Sequence, residues 1–177
     1  MEQQVKRVNS LIQIDDGKII FKPNFSGEPD KFNSKGGRRY FNIVLEDQGK
    51  YPDQLVTQRY GGQPLSVDKL IEDGWNVKFT RPRDEDEAPT PYIEVSVSFG
   101  AVPPKIVEVT SKNQVQLDED TVGTLDHDQL ERIDLDIRPY NWEVNEKHGV
   151  KAYLKTMYAK IVEDRFTDRY GSFRDGD

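Results

Sequence analysis

Hydrophobic and polar residues alternate with a period of two along much of this chain. Successive side chains of a β-strand point to opposite faces of its sheet, so this alternation predicts strands that bury one face. The clearest alternating segments are 41–45, 75–79, 93–99 and 133–137. Further strands are predicted at 106–109 and 150–162, and 19–21 is expected to begin the sheet. The pattern therefore predicts a mainly β fold.

Signals for helices are few. Ser66 is placed to cap a helix over 67–73, and Gly74 is placed to end it. Asp126 is expected to cap a second, single turn that runs to Leu130. Both predicted helices are short, so they add to a β fold and do not change its class.

Turn residues divide the predicted strands into hairpins. The proline-rich and acidic segment 82–91 predicts a long exposed loop, and 112–113 predicts a tight turn. Segment 145–149 is expected to form a five-residue loop that pairs Val144 with Val150. In that register Trp142 belongs to the core, whereas a slip of one residue would exchange the two faces of the hairpin.

The number of strands favours an OB-fold-like antiparallel barrel, closed or nearly closed, with long hairpin extensions and one or two short helices. A β-sandwich is the alternative, and the pattern alone does not separate the two. One domain is expected over residues 1–163, because a chain of 177 residues is most simply a single domain. Residues 164–177 lose the apolar periodicity and are expected to form a C-terminal tail.

Composition narrows the classes of function. The chain has no cysteine, which excludes disulfides, thiolate catalysis and cysteine zinc sites. It shows no apolar run long enough for a membrane helix and no apolar stretch of a signal peptide, so a cytoplasmic protein is the default expectation. The formal net charge is −7, which argues against a protein that coats duplex DNA through bulk charge. The acidic runs 84–87 and 118–136 are typical of a solvated surface, and the alternative is that they repel DNA from that face.

The segment 18–41 departs from this acidic background. It contains six basic residues against two acidic ones, interleaved with five aromatic residues. Basic side chains neutralise phosphates and aromatic rings stack on unpaired bases, so this combination favours a single-stranded nucleic acid. The alternative is a hairpin with core phenylalanines and a solvated basic loop. The tripeptide Lys151-Ala152-Tyr153 followed by Leu154-Lys155 predicts a similar ring between two cations on an open strand face.

Polar sides of the neighbouring predicted strands complete the candidate site. The predicted nucleic-acid-binding residues are Lys35, Arg38, Arg39, Tyr40, Lys78, Arg81, Tyr92, Lys151, Tyr153 and Lys155.

Evidence for catalysis is weak in the sequence. His127 and His148 both lie in turn-like segments, and the chain has no nucleotide-triphosphate loop or hydrolase motif. Asp134 and Asp136 share one strand face and could bind Mg²⁺ with another carboxylate, as a nuclease would require. A solvated strand edge is the alternative for this pair. No enzyme activity, no cofactor and no metal is expected.

Five segments of the chain resemble the single-stranded DNA-binding proteins of tailed bacteriophages. They are GKIIFKPNFSGEPDKFNSKGGRRYFNIVL (17–45), EDGWNVK (72–78), PPKIV (103–107), LDEDTVG (117–123) and IDLDIRPYNWEVNEKHGVKAYLKTMYAKI (133–161). The resemblance implies an OB-fold protein without enzymatic activity that acts in phage replication and recombination, in the cytoplasm of the infected host. It also implies phage replication or recombination proteins as partners.

The function predicted from the residues and the resemblance is sequence-tolerant binding of single-stranded DNA by stacking and phosphate contacts. The alternative is a phage structural or protein-interaction module that does not bind nucleic acid.

Overall fold

Strands account for most of the regular structure in this protein. The computed structural model describes residues 7–31, 34–51 and 53–163. One α-helix, α1, spans Val67–Asp73, and a 3₁₀-helix spans Val122–Asp126. The strands are β1 Ile12–Ile14, β2 Ile19–Asn24, β3 Tyr40–Val44, β4 Gln58–Tyr60, β5 Gln63–Pro64, β6 Val77–Phe79, β7 Pro91–Ser96, β8 Lys105–Val109, β9 Gln114–Leu117, β10 Leu130–Val144 and β11 Lys147–Ile161.

The described strands form one eleven-stranded sheet. Its main path is β2-β3-β7-β11-β10-β1-β4-β5, with β6 joined to β7 and β8 joined to both β11 and β9. The mainly β prediction is confirmed, although β1 precedes the expected first strand. The pairing does not close into a barrel. β11 runs parallel to β7 and to β8, so the prediction that all strands pair antiparallel is wrong.

The sheet buries one contiguous hydrophobic cluster. On β10, Ile133, Leu135 and Ile137 are all buried, as their alternation predicts. Phe41 is completely buried and stacks on Phe25 with 5.3 Å between ring centroids. Loss of a core aromatic side chain of this kind costs about 3–5 kcal/mol, so the sheet depends on its inner face.

Helix α1 begins and ends where the sequence predicts. The Ser66 hydroxyl accepts a hydrogen bond from the Lys69 backbone N–H at 3.3 Å, which satisfies one of the free N–H groups of the first turn. Gly74 ends the helix with a φ of 103°, a conformation that glycine adopts without a Cβ penalty. The next residue, Trp75, is buried and forms a parallel bridge with Val150, so α1 leads directly onto β11.

The second predicted helical turn is wrong. Asp126 ends the 3₁₀-helix instead of beginning a turn, and Leu130 already belongs to β10. The Asp126 carboxylate accepts hydrogen bonds from the backbone N–H groups of Phe25 at 2.7 Å and Ser26 at 3.0 Å. This long-range contact satisfies buried backbone donors just after β2, which a local capping pattern does not reveal.

The loops 82–91 and 112–113 lie at hairpin tips, as predicted. Phe79 pairs with Pro91 across the first hairpin, and Val109 pairs with Gln114 across the second. None of the helices in the described part of the chain is long and apolar enough to cross a membrane.

The hairpin between β10 and β11 has a different register from the predicted one. Asn145 and Glu146 have φ values of 51° and 67°, which indicates a two-residue turn of the type that joins tight hairpins. Val144 therefore pairs with Lys147 instead of Val150. The observed register differs from the predicted one by an odd number of residues. The β10 side chains expected on one face of the hairpin therefore lie on the other face.

Candidate nucleic-acid interface

The outer face of the sheet carries three adjoining open clefts across β3, β7, β11 and β10. Their volumes are about 720, 730 and 390 Å³. Arg38 lines all three clefts, Lys78 lines the first two, and Lys151 lines the first and third. The clefts therefore form one continuous path with a basic residue at each junction, here called the outer groove.

Aromatic and basic side chains alternate on the β10–β11 hairpin. Tyr140 meets Tyr153 edge-to-face, with 5.3 Å between ring centroids. The guanidinium carbon of Arg138 lies 4.9 Å from the centroid of the Tyr153 ring, and Lys151 Nζ lies 5.4 Å from it. The predicted ring between two cations exists, but the second cation is Arg138 and not Lys155.

A β-bulge separates Lys155 from this arrangement. Asp136 pairs with Thr156 while Ile137 pairs with Leu154, so Lys155 is the extra residue on β11. A bulge interrupts the alternation of side chains along its strand. Lys155 is exposed but lines none of the three clefts.

The corrected register places Trp142 on the exposed face. The residue is 38% exposed, so the prediction of a core tryptophan is wrong. It pairs with Gly149 on β11 and lines the first cleft. A Cβ atom at Gly149 would lie 2.8 Å from Trp142 Cζ2, so the indole rests on a strand position that has no side chain. This packing leaves part of the indole accessible to a base.

Charges at the centre of the outer groove are held together by Glu94. Arg38 Nη1 donates a hydrogen bond of 2.7 Å to Glu94 Oε1, and Lys78 Nζ lies 3.9 Å from Glu94 Oε2. The Arg38 guanidinium carbon also lies 4.3 Å from the centroid of the Tyr40 ring. Two cations share one carboxylate, so the centre retains a net positive charge that suits a phosphate.

Tyr40 is buried beneath this centre. It is 5% exposed, which contradicts the prediction of an open stacking ring. Its hydroxyl donates a hydrogen bond of 2.9 Å to Asp30 Oδ2. Burial, reinforced by that hydrogen bond, raises the pKa of Tyr40. The alternation of β3 does not leave its outer side exposed, because segments around β3 cover both faces of the strand.

Arg39 points away from Arg38 and supports the loop structure. Its Nη1 donates hydrogen bonds to the carbonyl oxygens of Phe25 at 3.0 Å and Glu119 at 2.9 Å. Its side chain is 16% exposed, and its guanidinium carbon lies 5.3 Å from the Phe99 ring centroid. Arg39 borders the smallest cleft, but its donors serve main-chain carbonyl groups.

Only some of the remaining predicted residues line the groove. Lys35 and Arg81 are exposed in loops and border none of the three clefts. Tyr92 lines the second cleft, edge-on to Phe21 at 5.2 Å between ring centroids. The predicted list of binding residues lacks Trp142 of the first cleft and Phe21, Lys22 and Lys31 of the second, although the last three belong to the basic and aromatic segment 18–41. It also lacks Arg138 and Tyr140, which contact Tyr153 but line none of the three clefts. For Arg138, Tyr140 and Trp142, the signal was the Asn145-Glu146 pair, which is compatible with a two-residue turn.

One member of the aspartate pair considered for Mg²⁺, Asp134, has other partners. Asp134 Oδ1 accepts hydrogen bonds from Arg132 Nε at 3.0 Å and from the Asp16 backbone N–H at 2.8 Å. In the described residues no group of three or more histidine, cysteine or carboxylate side chains could hold a metal ion. Among the described residues, Asp134 and Asp136 therefore have no third ligand with which to hold the Mg²⁺ that a nuclease would require.

Residues 64–177 match the family model for the phage single-stranded DNA-binding domain. The chain belongs to this family, and single-stranded DNA is its ligand. The predicted resemblance and the prediction that the chain binds single-stranded DNA are thereby confirmed. The match begins after the basic segment 18–41, so it depends on α1 and the strands from β6 onward.

Solved structures of phage proteins are similar over most of their length. The single-stranded DNA-binding protein of bacteriophage Enc34, in a C-terminally truncated form, has 10% identity and a TM-score of 0.49, covering 93% of this chain and 98% of that one. The Enc34 protein in complex with single-stranded DNA has 9% identity and a TM-score of 0.45, covering 88% and 89%. Bacteriophage T7 gp2.5 has 10% identity and a TM-score of 0.38, covering 96% and 98%. No curated protein has a matching sequence.

Proposed function

We propose that the outer groove is the surface that binds single-stranded DNA, without strong sequence preference and without chemistry. The observation that carries this proposal is a row of aromatic and basic side chains on the β10–β11 hairpin. Trp142 and Tyr140 are exposed there, and the half-buried Tyr153 ring lies beside Arg138 and Lys151. Stacking on an aromatic ring tolerates any base, because every base has a flat face.

Basic residues along the groove supply the phosphate contacts. Lys151, Arg38 and Lys78 lie at the junctions of the three clefts, so a strand that follows the clefts passes each of them. Phosphate contacts position a strand without reading its sequence. Lys35 and Arg81, exposed in loops near the ends of β3 and β6, extend the positive surface in this proposal.

An OB-like barrel is the architecture proposed with this function. β1 and β2 are separated only by residues 15–18. The Gly17 N–H donates to the Ile133 carbonyl and the Val44 N–H donates to the Lys18 carbonyl, both at 2.9 Å, so this short connection bonds toward β10 and toward β3. If β1 and β2 are one bent strand, the path β2-β3-β7-β11-β10-β1 returns to its start. OB-folds bind oligonucleotides on the face formed by their central strands.

A role in phage replication and recombination, in the cytoplasm of the infected host, completes the proposal. The unit proposed to fold as one domain is 1–163. The predicted tail 164–177 lies outside the described residues, and replication or recombination proteins stay proposed partners.

Binding titrations with oligo-dT and with a duplex of equal length test the proposal. A groove that neutralises about four or five phosphates should show a slope of roughly −3 for log K against log[salt]. The acidic surface of this chain should keep duplex binding much weaker. Lys151→Ala should weaken oligo-dT binding, whereas Lys112→Ala, in the β8–β9 turn, serves as a charge-matched control. Equal losses from both variants would refute the groove as the binding surface.

A further inference from the structure

The second cleft lies on the β2 side of the outer groove. Its described lining includes Phe21 and Lys22 of β2, with further residues of β3, β6 and β7 and none of β10 or β11. Its volume of about 730 Å³ is within the range of about 300–1,000 Å³ that is usual for ligand pockets. The cleft therefore offers a place for a ligand group that is separate from the aromatic row of the β10–β11 hairpin.

Phe21 lines this cleft from a strained backbone. Its φ is 63°, a conformation that bulky residues rarely adopt. The β2–β3 pairing passes from Ile20 opposite Asn42 to Asn24 opposite Tyr40, so Phe21 lies in an irregular part of β2. The side chain is 57% exposed, so burial of the ring does little to offset the strain. Backbone strain of this kind concentrates at functional sites, and here it accompanies an aromatic ring that lines a cleft.

Tyr92 holds the Phe21 ring in position. The two rings meet edge-to-face with 5.2 Å between their centroids. Tyr92 is half-buried on β7, where it pairs with Lys78 of β6 and Val44 of β3. A ring that is held by such a neighbour loses less conformational entropy when a base stacks on it. Phe21 is thus both exposed and positioned before a ligand arrives.

The charges around the Phe21 ring suit a phosphate. Four basic side chains line the cleft against two carboxylates, which leaves a formal charge of +2. Both carboxylates have partners, because Asp30 accepts a hydrogen bond from the Tyr40 hydroxyl and Glu94 pairs with Arg38 and Lys78. A positive cleft attracts the backbone of any strand and does not select among the bases. The four basic residues are Lys22, Lys31, Arg38 and Lys78.

We infer that Phe21 is a second stacking platform for single-stranded DNA. One strand is bound both there and on the hairpin platform, and Arg38 and Lys78, which line both the first and the second cleft, contact the phosphates between the two. Any base can stack on Phe21, because every base has a flat face. The inference rests on the proposed function of the outer groove, and it extends the binding site to residues that precede the segment matching the family. The hairpin platform consists of Tyr140, Trp142 and Tyr153.

The order of the strands gives the separation of the two platforms. β2 and β10 are four steps apart in the path β2-β3-β7-β11-β10. Neighbouring strands lie about 4.8 Å apart, so the separation is about 19 Å. Successive stacked bases rise by about 3.4 Å along one strand, so about six nucleotides are needed to reach both platforms. A shorter strand can occupy only one of them.

The dependence of affinity on strand length tests this division. Competition binding with oligo-dT of about 4 to about 16 nucleotides covers the site sizes known for single OB folds. Phe21→Gly should bind the shortest strand as the wild type does, because the three rings of the hairpin platform remain. Beyond about six nucleotides the variant should bind roughly 5- to 150-fold more weakly, the effect of one lost stacked base. Trp142→Ala should instead weaken the binding of short and long strands alike.

The stability of the variants shows whether Phe21 acts through the fold. Glycine adopts positive φ without strain, and this gain offsets the lost contact with Tyr92, so Phe21→Gly should melt at about the wild-type temperature. Phe21→Tyr keeps a ring and should keep the affinity for long strands. Phe79→Ala is the control for loss of an exposed ring, since Phe79 is 50% exposed but lines none of the three clefts. It should bind strands of every length as the wild type does.

The outcomes distinguish this inference from the proposed function. Wild-type affinity of Phe21→Gly at every length would remove Phe21 from the binding surface, whereas an equal loss at every length would contradict two separate platforms. A clearly lower melting temperature together with weaker binding would assign Phe21 to the fold and also overturn the inference. In each case oligo-dT binding by the wild type stands. A wild-type protein that binds no oligo-dT would refute the proposed function and the inference together.

Discussion

The indole of Trp142 covers Gly149 on the neighbouring strand so closely that a Cβ atom there would lie 2.8 Å from Trp142 Cζ2. Glycine usually weakens a strand, because it has no side chain to pack. Here the tryptophan fills that space from across the hairpin and is held in place on the outer groove. A ring that is already positioned loses less conformational entropy when a base stacks on it.

Substitution of the two tryptophans should separate binding from folding. Trp142→Ala should weaken oligo-dT binding by roughly 1–3 kcal/mol, the usual contribution of a stacked base. Trp75 is buried, so Trp75→Ala should instead lower the free energy of unfolding by about 3–5 kcal/mol. Urea unfolding and binding titrations measure the two effects. A Trp142→Ala variant with normal DNA binding would exclude the indole as a stacking surface.

Gly149→Ala should displace the Trp142 ring without removing it. The added methyl group would clash with the indole, so the ring must move from its present position. We expect weaker oligo-dT binding and a shift in the fluorescence of Trp142, measured in a Trp75→Phe background. Gly100→Ala is the control for an added methyl group in the groove, because Gly100 lines the third cleft but its Cβ would meet no atom closer than 3.7 Å. Unchanged fluorescence and binding in Gly149→Ala would show that the ring is not fixed by this contact.

The neighbours Arg38 and Arg39 should respond differently to alanine substitution. Arg38→Ala should weaken DNA binding and change the melting temperature little, because the side chain is partly exposed in the groove. Arg39→Ala should lower the free energy of unfolding by about 1–3 kcal/mol, because it removes the donor for two main-chain carbonyl groups. Thermal melts and titrations of both single variants check this. A joint replacement of Lys35, Arg38 and Arg39 would therefore mix a folding defect with a binding defect.

Glu94→Gln should strengthen binding. Glu94 pairs with both Arg38 and Lys78, so it competes with a phosphate for these two cations. Without that charge, each freed cation should make the salt slope more negative by roughly 0.7. Titration against oligo-dT at several salt concentrations measures the change. Glu87→Gln, in the exposed loop before β7, changes the net charge equally and should leave the slope unchanged. The same effect from both variants would indicate a response to net charge alone.

Stability should fall at high pH because of Tyr60. Its hydroxyl donates a hydrogen bond of 2.6 Å to Asp73 Oδ2 and accepts one of 3.1 Å from Trp75 Nε1. Burial, followed by the bond to Asp73, raises the pKa of Tyr60. The neutral phenol is thus favoured in the folded state, so its contribution is complete below the unfolded pKa of about 10 and is lost as pH rises through the folded pKa.

Urea unfolding between neutral pH and pH 11 measures this decline. Tyr60→Phe should be less stable at neutral pH, because Asp73 and Trp75 lose a partner, yet its decline above pH 10 should be shallower. The buried Tyr40 also has a raised pKa, so Tyr40→Phe identifies its share of the remaining decline. Parallel curves for the wild type and Tyr60→Phe would contradict the assignment to Tyr60.

Local patterns in the sequence were sufficient for several elements of the fold. Alternation identified the buried side of β10, and the Ser66 and Gly74 caps identified both ends of α1. These features depend on residues within one strand or one helical turn, so they can be read without knowledge of the rest of the chain. The motifs of 133–161 also lie within the segment that matches the family, which is why the class of protein was predictable.

Only the tertiary structure determined which side chains form the outer groove. The register of β10 and β11 moved Trp142 from the predicted core to the surface, and the cover over β3 buried Tyr40. Arg39 turned toward carbonyl groups of Phe25 and Glu119, far away in sequence. The physical reason is that contacts between distant segments leave the local sequence pattern unchanged. A strand has a period of two, so an odd shift in register exchanges its two faces, and segments far away in sequence cover a face or bind a side chain that the pattern alone leaves open.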